Sequence, residues 1–127
     1  MTKAVLDSSA LIAFINQEKG FESAEEYLPS AIMSSINIAE VVAVLSLVDV
    51  PEKTIVAIIN DLKIDIINFD LEQALQTGLL RKKTKSFGLS LGDRACINLA
   101  NTKKLPVVTA DKAWNKLGLP ILVVQIR

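Results

Sequence analysis

Histidine is absent from the 127 residues, and that one absence removes Ser-His-Asp and Cys-His catalysis together with every histidine metal site. Cysteine occurs once, at Cys96, so no internal disulfide can form. With no signal-peptide layout at the N-terminus, a cytoplasmic location is expected. The five glycines never fall into a GxxxxGK or GxGxxG phosphate loop. No apolar run is long enough to span a bilayer, so no membrane partner is expected. An enzyme built from this chain must work with carboxylates, hydroxyls, Lys and Arg. Carboxylate-only sites suit hard, oxygen-preferring cations such as Mg²⁺ or Mn²⁺.

What is present is aliphatic bulk. Half of the residues are hydrophobic, which excludes disorder and predicts a tightly buried interior, with some surface left for another chain to cover. The length fits one domain, residues 1–127. The net charge is zero but unevenly spread: residues 1–64 hold nine acids and four bases, residues 65–127 five acids and ten bases. Such asymmetry points to self-association or to an acidic partner for the basic half.

Short apolar runs at 3–6, 31–33, 64–69, 105–109 and 121–126 read as five strands. Between them lie helical patterns at 8–17, 22–28, 36–48, 51–62, 70–80 and 90–101, and a short one at 111–117. The pattern at 36–48 is apolar almost all round and predicts a helix buried on most sides. Its polar exceptions, Asn37 and Glu40, share one face. Alternating strands and helices imply a three-layer α/β/α sandwich around a central, mainly parallel five-stranded sheet, with the loops after the strands along one rim.

Four acids stand out. Asp7 follows the first strand, Glu40 lies early in the apolar helix, Asp93 follows Ser90, and Asp111 follows the fourth strand. Each has an ordinary reading as a helix cap: Asp7 and Asp111 directly, Asn37-x-x-Glu40 and Ser90-x-x-Asp93 as capping boxes. Asp7 and Asp111 also end strands, which in a parallel sheet puts them on one rim. Four carboxylates converging there would repel by ~4 kcal/mol for each pair 4 Å apart at an effective dielectric of about 20. Such a cluster is tolerable if a divalent cation neutralises it or some carboxylates stay protonated, and a cation would also offer a route to hydrolysis without histidine.

The segments Val5-Leu6-Asp7-Ser8-Ser9-Ala10, Asn37-Ile38-Ala39-Glu40-Val41, Leu89-Ser90-Leu91-Gly92-Asp93-Arg94-Ala95-Cys96 and Val108-Thr109-Ala110-Asp111-Lys112-Ala113-Trp114 resemble, in order and spacing, the four signature segments of PIN-domain nucleases. The branch they most resemble is the VapC-type toxins of toxin–antitoxin pairs. Asn37 is the least typical position, where a small hydroxyl residue is commoner. The resemblance implies a PIN-like fold and endoribonuclease cleavage of RNA. Asp7, Glu40, Asp93 and Asp111 would bind Mg²⁺ or Mn²⁺, and Ser9 and Thr109 would support the site or touch the scissile phosphate. It further implies a small cognate antitoxin lying across a groove near the site, and a homodimer.

Other residues keep two readings. Arg81, Lys82, Lys83 and Lys85 could contact an RNA backbone or form a solvated helix end. Arg94 could face a phosphate or pair with an acid. Lys103 and Lys104 read as surface charge, and Trp114 and Cys96 as core. Phe14, Tyr27 and Leu28 would line a groove for a partner helix if part-exposed. A phospho-receiver domain would need an acidic pair after the first strand and a late Lys-Pro, and a haloacid-dehalogenase-type enzyme a second Asp at position 9; neither is present. The non-enzymatic alternative is a PIN-like binding module with a silent site.

Overall fold

Alternation within three-residue strands decides which face each side chain serves. In β1 (Ala4–Leu6), Ala4 and Leu6 point to one face of the sheet and Val5 to the other. The same division separates Met33 from Ile32 in β2 (Ala31–Ser34) and Val108 from Val107 in β4 (Val107–Thr109). All of these side chains are buried, as strands covered on both faces require.

The computed structural model describes residues 3–127; Met1 and Thr2, within the expected 1–127 span, lie outside the described residues. With β3 (Asp65–Ile67) and β5 (Val123–Gln125), the sheet runs β3-β2-β1-β4-β5 and every pairing is parallel. The chain first builds outward from β1 through β2 to β3, then returns to the other side of β1 with β4. The order therefore reverses between β1 and β4, and the crevice beyond their carboxyl ends is where an open α/β sheet offers a ligand site.

One face carries α1 (Ser8–Ile15), α2 (Phe21–Tyr27), α3 (Ser35–Leu47) and α4 (Glu52–Leu62), which close a core including Leu11, Ala24, Val41, Leu45 and Ile55. The other is covered by α6 (Leu91–Lys103) through Cys96, Ile97, Leu99 and Ala100, with Trp114 beside them. Helix α5 (Leu71–Thr84) packs on α6. Trp114 and Cys96 are core residues, as expected. The expected short helix after Asp111 is a 3-10 turn, Lys112–Lys116.

The expectation for α3 needs correction. Only Asn37, Val41 and Leu45 are buried on it, while Leu47 is 83% exposed and Val48 67%. An all-apolar helix can face one core and still present its other flank to a groove. Here Ile38, Val42, Val50, Ile55, Val56 and Ile59 line such a groove between α3 and α4. Helix α5 carries a second unburied stripe, Leu71, Leu75 and Leu79, four residues apart on one face.

Candidate active site

Asp7 stands at the mouth of the β1–β4 crevice, where its backbone N–H donates to the Val108 carbonyl. Its side chain caps α1, accepting from the Ala10 N–H at 2.9 Å. The cap leaves most of the carboxylate's acceptor capacity free, and hydroxyls take it up. Thr109 Oγ1 donates to Oδ2 at 2.6 Å, and Ser9 Oγ lies 2.8 and 2.9 Å from the two oxygens. Each hydroxyl also accepts a backbone N–H, Ser9 from Ala110 and Thr109 from Asp111. The ends of β1 and β4 are thereby tied through one carboxylate. Asp7 is only 3% exposed. Burial pushes its pKa from 3.8 up to about 6; the Thr109, Ala10 and Ser9 hydrogen bonds oppose the rise, and the charge of Asp93 adds to it.

Asp93 reaches this site from α6. It is the third helical residue, and with Ser90 it forms a reciprocal capping box, Ser90 N–H to Asp93 Oδ2 at 3.0 Å and Asp93 N–H to Ser90 Oγ at 3.1 Å. Glu40 arrives from α3. The capping-box reading of Asn37-x-x-Glu40 does not hold, because α3 begins earlier: Ser34 is its cap, accepting from the Ile36 N–H, and Asn37 is already inside the helix. Glu40 instead accepts from Asn37 Nδ2 at 2.9 Å, and the same nitrogen donates to the Gly92 carbonyl of α6 at 3.0 Å. Cys96, fully buried one turn below Asp93, registers the convergence. Its thiol pKa is pushed well up by burial and, after that, by the charges of Asp7, Asp93 and Glu40.

The remaining sequence candidates lie farther from this centre. Asp111 is exposed, and its Oδ1 accepts from the Ala113 N–H, capping the 3-10 turn. Its link to the crevice is its own backbone N–H on Thr109. Arg94, part-exposed, forms no salt bridge with an acid; its Nη1 donates to the Thr77 carbonyl of α5 at 3.1 Å. Asn98 Nδ2 likewise donates to Gln76 Oε1 at 2.9 Å, and only residues 85–90 separate the end of α5 from the start of α6. The basic end of α5 therefore comes level with the start of α6. Arg81, Lys82, Lys83 and Lys85 are exposed there, and the one salt bridge among the described residues lies elsewhere, between Arg127 and Glu18.

No group of three or more acids or thiols among the described residues stands as a ready-made set of metal ligands. The fit to a cation is one of donor chemistry and charge. Asp7, Glu40 and Asp93 offer hard oxygen atoms, which match Mg²⁺ or Mn²⁺, and a bound cation would favour the charged form of Asp7 that burial, and to a smaller degree Asp93, disfavours. Two residues that shape the site were not among the sequence candidates. Asn37 stood out there as an atypical polar residue and a possible helix cap, and Gly92 only within its segment. A glycine in the first turn of a helix is a usable signal, since it is a poor helix former.

A family model described as the PIN domain matches residues 4–119. Among solved structures, the chain is similar to a chain of a toxin–antitoxin complex from Klebsiella pneumoniae, at 24% identity and TM-score 0.74 over 98% of both chains. It is also similar to a chain of DNA-bound VapBC from Salmonella typhimurium, at 19% identity and TM-score 0.75 over 100% of both. A third likeness is to VapBC2 from Rickettsia felis bound to a promoter DNA fragment, at 19% identity and TM-score 0.74 over 98% of both. No curated protein matches.

Proposed function

The chain belongs to the PIN domain family, and on that premise we propose that it is a divalent-metal-dependent endoribonuclease of the VapC type, the toxin of a toxin–antitoxin pair. The observation that carries the reading is the buried carboxylate of Asp7 at the β1–β4 crevice, its pKa raised by burial and further by Asp93, and sharing the neighbourhood of Cys96 with Asp93 and Glu40. Asp7, Glu40 and Asp93 would hold Mg²⁺ or Mn²⁺, with Asp111 completing the set from the rim. Such an ion supplies Lewis acidity toward a phosphodiester and makes water a usable nucleophile near neutral pH.

The chain's own groups do the rest. Thr109 and Ser9 fix the Asp7 carboxylate through the hydroxyls that grip its two oxygens. Arg81, Lys82, Lys83 and Lys85 give the RNA backbone a cationic track at the same end of α6 as Asp93. Arg94 keeps α5 and α6 together and so keeps that track in place. A small antitoxin is the proposed protein partner. Its amphipathic helix would find apolar seats in the α3–α4 groove, of about 490 Å³, and in a groove lined by Phe14, Ile15, Phe21, Ile58 and Leu62. The reading treats the chain as one domain acting in the cytoplasm, as a homodimer.

Asn caps a helix about as well as Asp but lacks the charge a cation needs. Asp7→Asn and Asp93→Asn are therefore expected to fold and to lose Mn²⁺-dependent cleavage of an RNA substrate. Cleavage by both variants at the parent's rate overturns the metal-site reading. It would favour a PIN-like binding module instead, in which Asp93 and Asp111 serve only the helix caps they already form.

A further inference from the structure

Glu40 caps nothing, and the group that holds it is Asn37, one turn earlier on α3. Asn37 is 1% exposed. Its Nδ2 donates both of its hydrogen bonds to oxygens, Glu40 Oε1 and the Gly92 carbonyl. A carbonyl has no proton to give, so the amide can only turn its nitrogen that way. The opposite atom, Oδ1, is then buried without a partner. An unsatisfied buried acceptor is unfavourable, and this one persists because the two bonds on the other side outweigh it.

Gly92 bounds the carboxylate from α6. A Cβ added there would lie 2.2 and 2.3 Å from the two Glu40 oxygens and 2.4 Å from Cδ, so any side chain would push the carboxylate aside. The carboxylate lies in a slot whose walls are the Asn37 amide and the bare Cα of Gly92, next to Asp93.

We infer that Asn37 is a positioning residue for Glu40, and that Gly92 is the gap that admits the carboxylate. Together they hold Glu40 against the first turn of α6, the turn that carries Asp93. A hydroxyl at position 37 has one proton to donate; the amide has two, and so ties Glu40 and α6 to the same nitrogen. The inference rests on the reading of Glu40 as a metal ligand made above.

The test is Mn²⁺ binding, by titration calorimetry or by the loss of the free-ion paramagnetic resonance signal, on the full chain after chelator treatment. The variants are Asn37→Ser, Gly92→Ala, Glu40→Gln and the Asn37→Ser/Glu40→Gln double, with circular dichroism and urea unfolding as controls. Asn37→Ser and Gly92→Ala are each expected to weaken Mn²⁺ binding roughly 10–100-fold, the range for groups that orient a ligand. Asn37→Ser should add nothing once Glu40 is Gln. Should Asn37→Ser not fold, Gly92→Ala carries the test, since it keeps Asn37 and adds a better helix former. Parent-like binding by the folded Asn37→Ser or Gly92→Ala protein, with Glu40→Gln weakened, overturns the positioning role and leaves the ligand assignment standing. An equal loss from Asn37→Ser in both backgrounds also overturns it, because the effect then bypasses Glu40. Parent-like binding by Glu40→Gln removes the ligand assignment itself, and the inference with it.

Discussion

The carboxyl ends of β1 and β4 carry the same kind of residue and treat it in opposite ways. Asp7 and Asp111 each follow a parallel strand, lie on the same rim and cap the turn that comes next. Asp7 is buried, gripped by two hydroxyls and held near pKa 6, whereas Asp111 is exposed and has only its cap. The cause is distance from the sheet. Asp7 directly follows Leu6, the last residue of β1, whereas Asp111 stands two residues beyond Thr109, the buried end of β4, and has already turned toward solvent. A cap that has left the sheet serves its turn alone. A cap at the central switch point is also a strained charge, and a charge held at a cost in stability is a mark of function.

The largest expected effect follows from that cost. An acid whose folded pKa lies above its unfolded value binds more protons folded than unfolded between the two, so stability falls as pH rises through that window. For Asp7 the window runs from about 4 to about 6, and its contribution is about 3 kcal/mol less favourable at pH 7 than below pH 4. Asp7→Asn removes the charge and keeps the cap. In metal-free buffer at pH 7 the variant is expected to be about 2–3 kcal/mol more stable than the parent by urea unfolding, with the gain vanishing toward pH 4. A variant no more stable at pH 7 would mean that the two strand ends do not differ as described.

Thr109 connects the two ends and should show the next largest effect. Thr109→Val keeps the shape but removes the O–H on Asp7 and the acceptor for the Asp111 N–H, at a wholly buried position. Leaving buried polar groups unpaired costs about 1–3 kcal/mol. Thr109→Val should also raise the Asp7 pKa further, which carboxyl chemical shifts followed by NMR through a pH titration would report. An unchanged Asp7 titration would mean that β4 does not govern the charge at β1.

The same contrast shows how far the sequence could be read. Short apolar runs and helical stripes were enough for the layers and for the strand ends bearing Asp7 and Asp111, because periodicity is local. Burial was not legible. Both acids read equally as caps, and only where each strand ends, at Leu6 directly before Asp7 and at Thr109 two residues before Asp111, separates them. The bridge from Asn37 to Gly92 spans 55 positions, a distance over which no local pattern operates. The start of α3 was misplaced because its apolar run obscures Ser34 as the cap, and with it went the capping reading of Glu40. Arg94 could not be placed either, since whether an arginine faces solvent or the Thr77 carbonyl depends on how α5 lies on α6.

Asp111 itself should behave as a modest cap. Asp111→Ala is expected to cost no more than about 1 kcal/mol and Asp111→Asn close to nothing. Cleavage by Asp111→Asn should be reduced less than by Asp7→Asn. Equal losses would place the exposed carboxylate on the same footing as the buried one and erase the functional half of the comparison.

Exposure reaches its limit at the basic tract, where the contrast with Asp7 is sharpest. Arg81, Lys82, Lys83 and Lys85 have no described carboxylate paired to them and form no core, so replacing them with Ala should move stability by no more than about 0.5 kcal/mol each. Their effect belongs to binding. A cation that touches a single-stranded backbone releases a counterion, so each lost contact should reduce the slope of log affinity against log salt by about 0.7. Measured on an Asp7→Asn background, which binds without cutting, Lys82→Ala and Lys83→Ala are expected to flatten that slope while leaving the unfolding curve in place. An unchanged slope makes the tract a solvated helix end, with cations placed to suit the dipole of α5 and nothing more. A changed slope makes it the opposite of Asp7: charge that contributes to function because it has stayed in water.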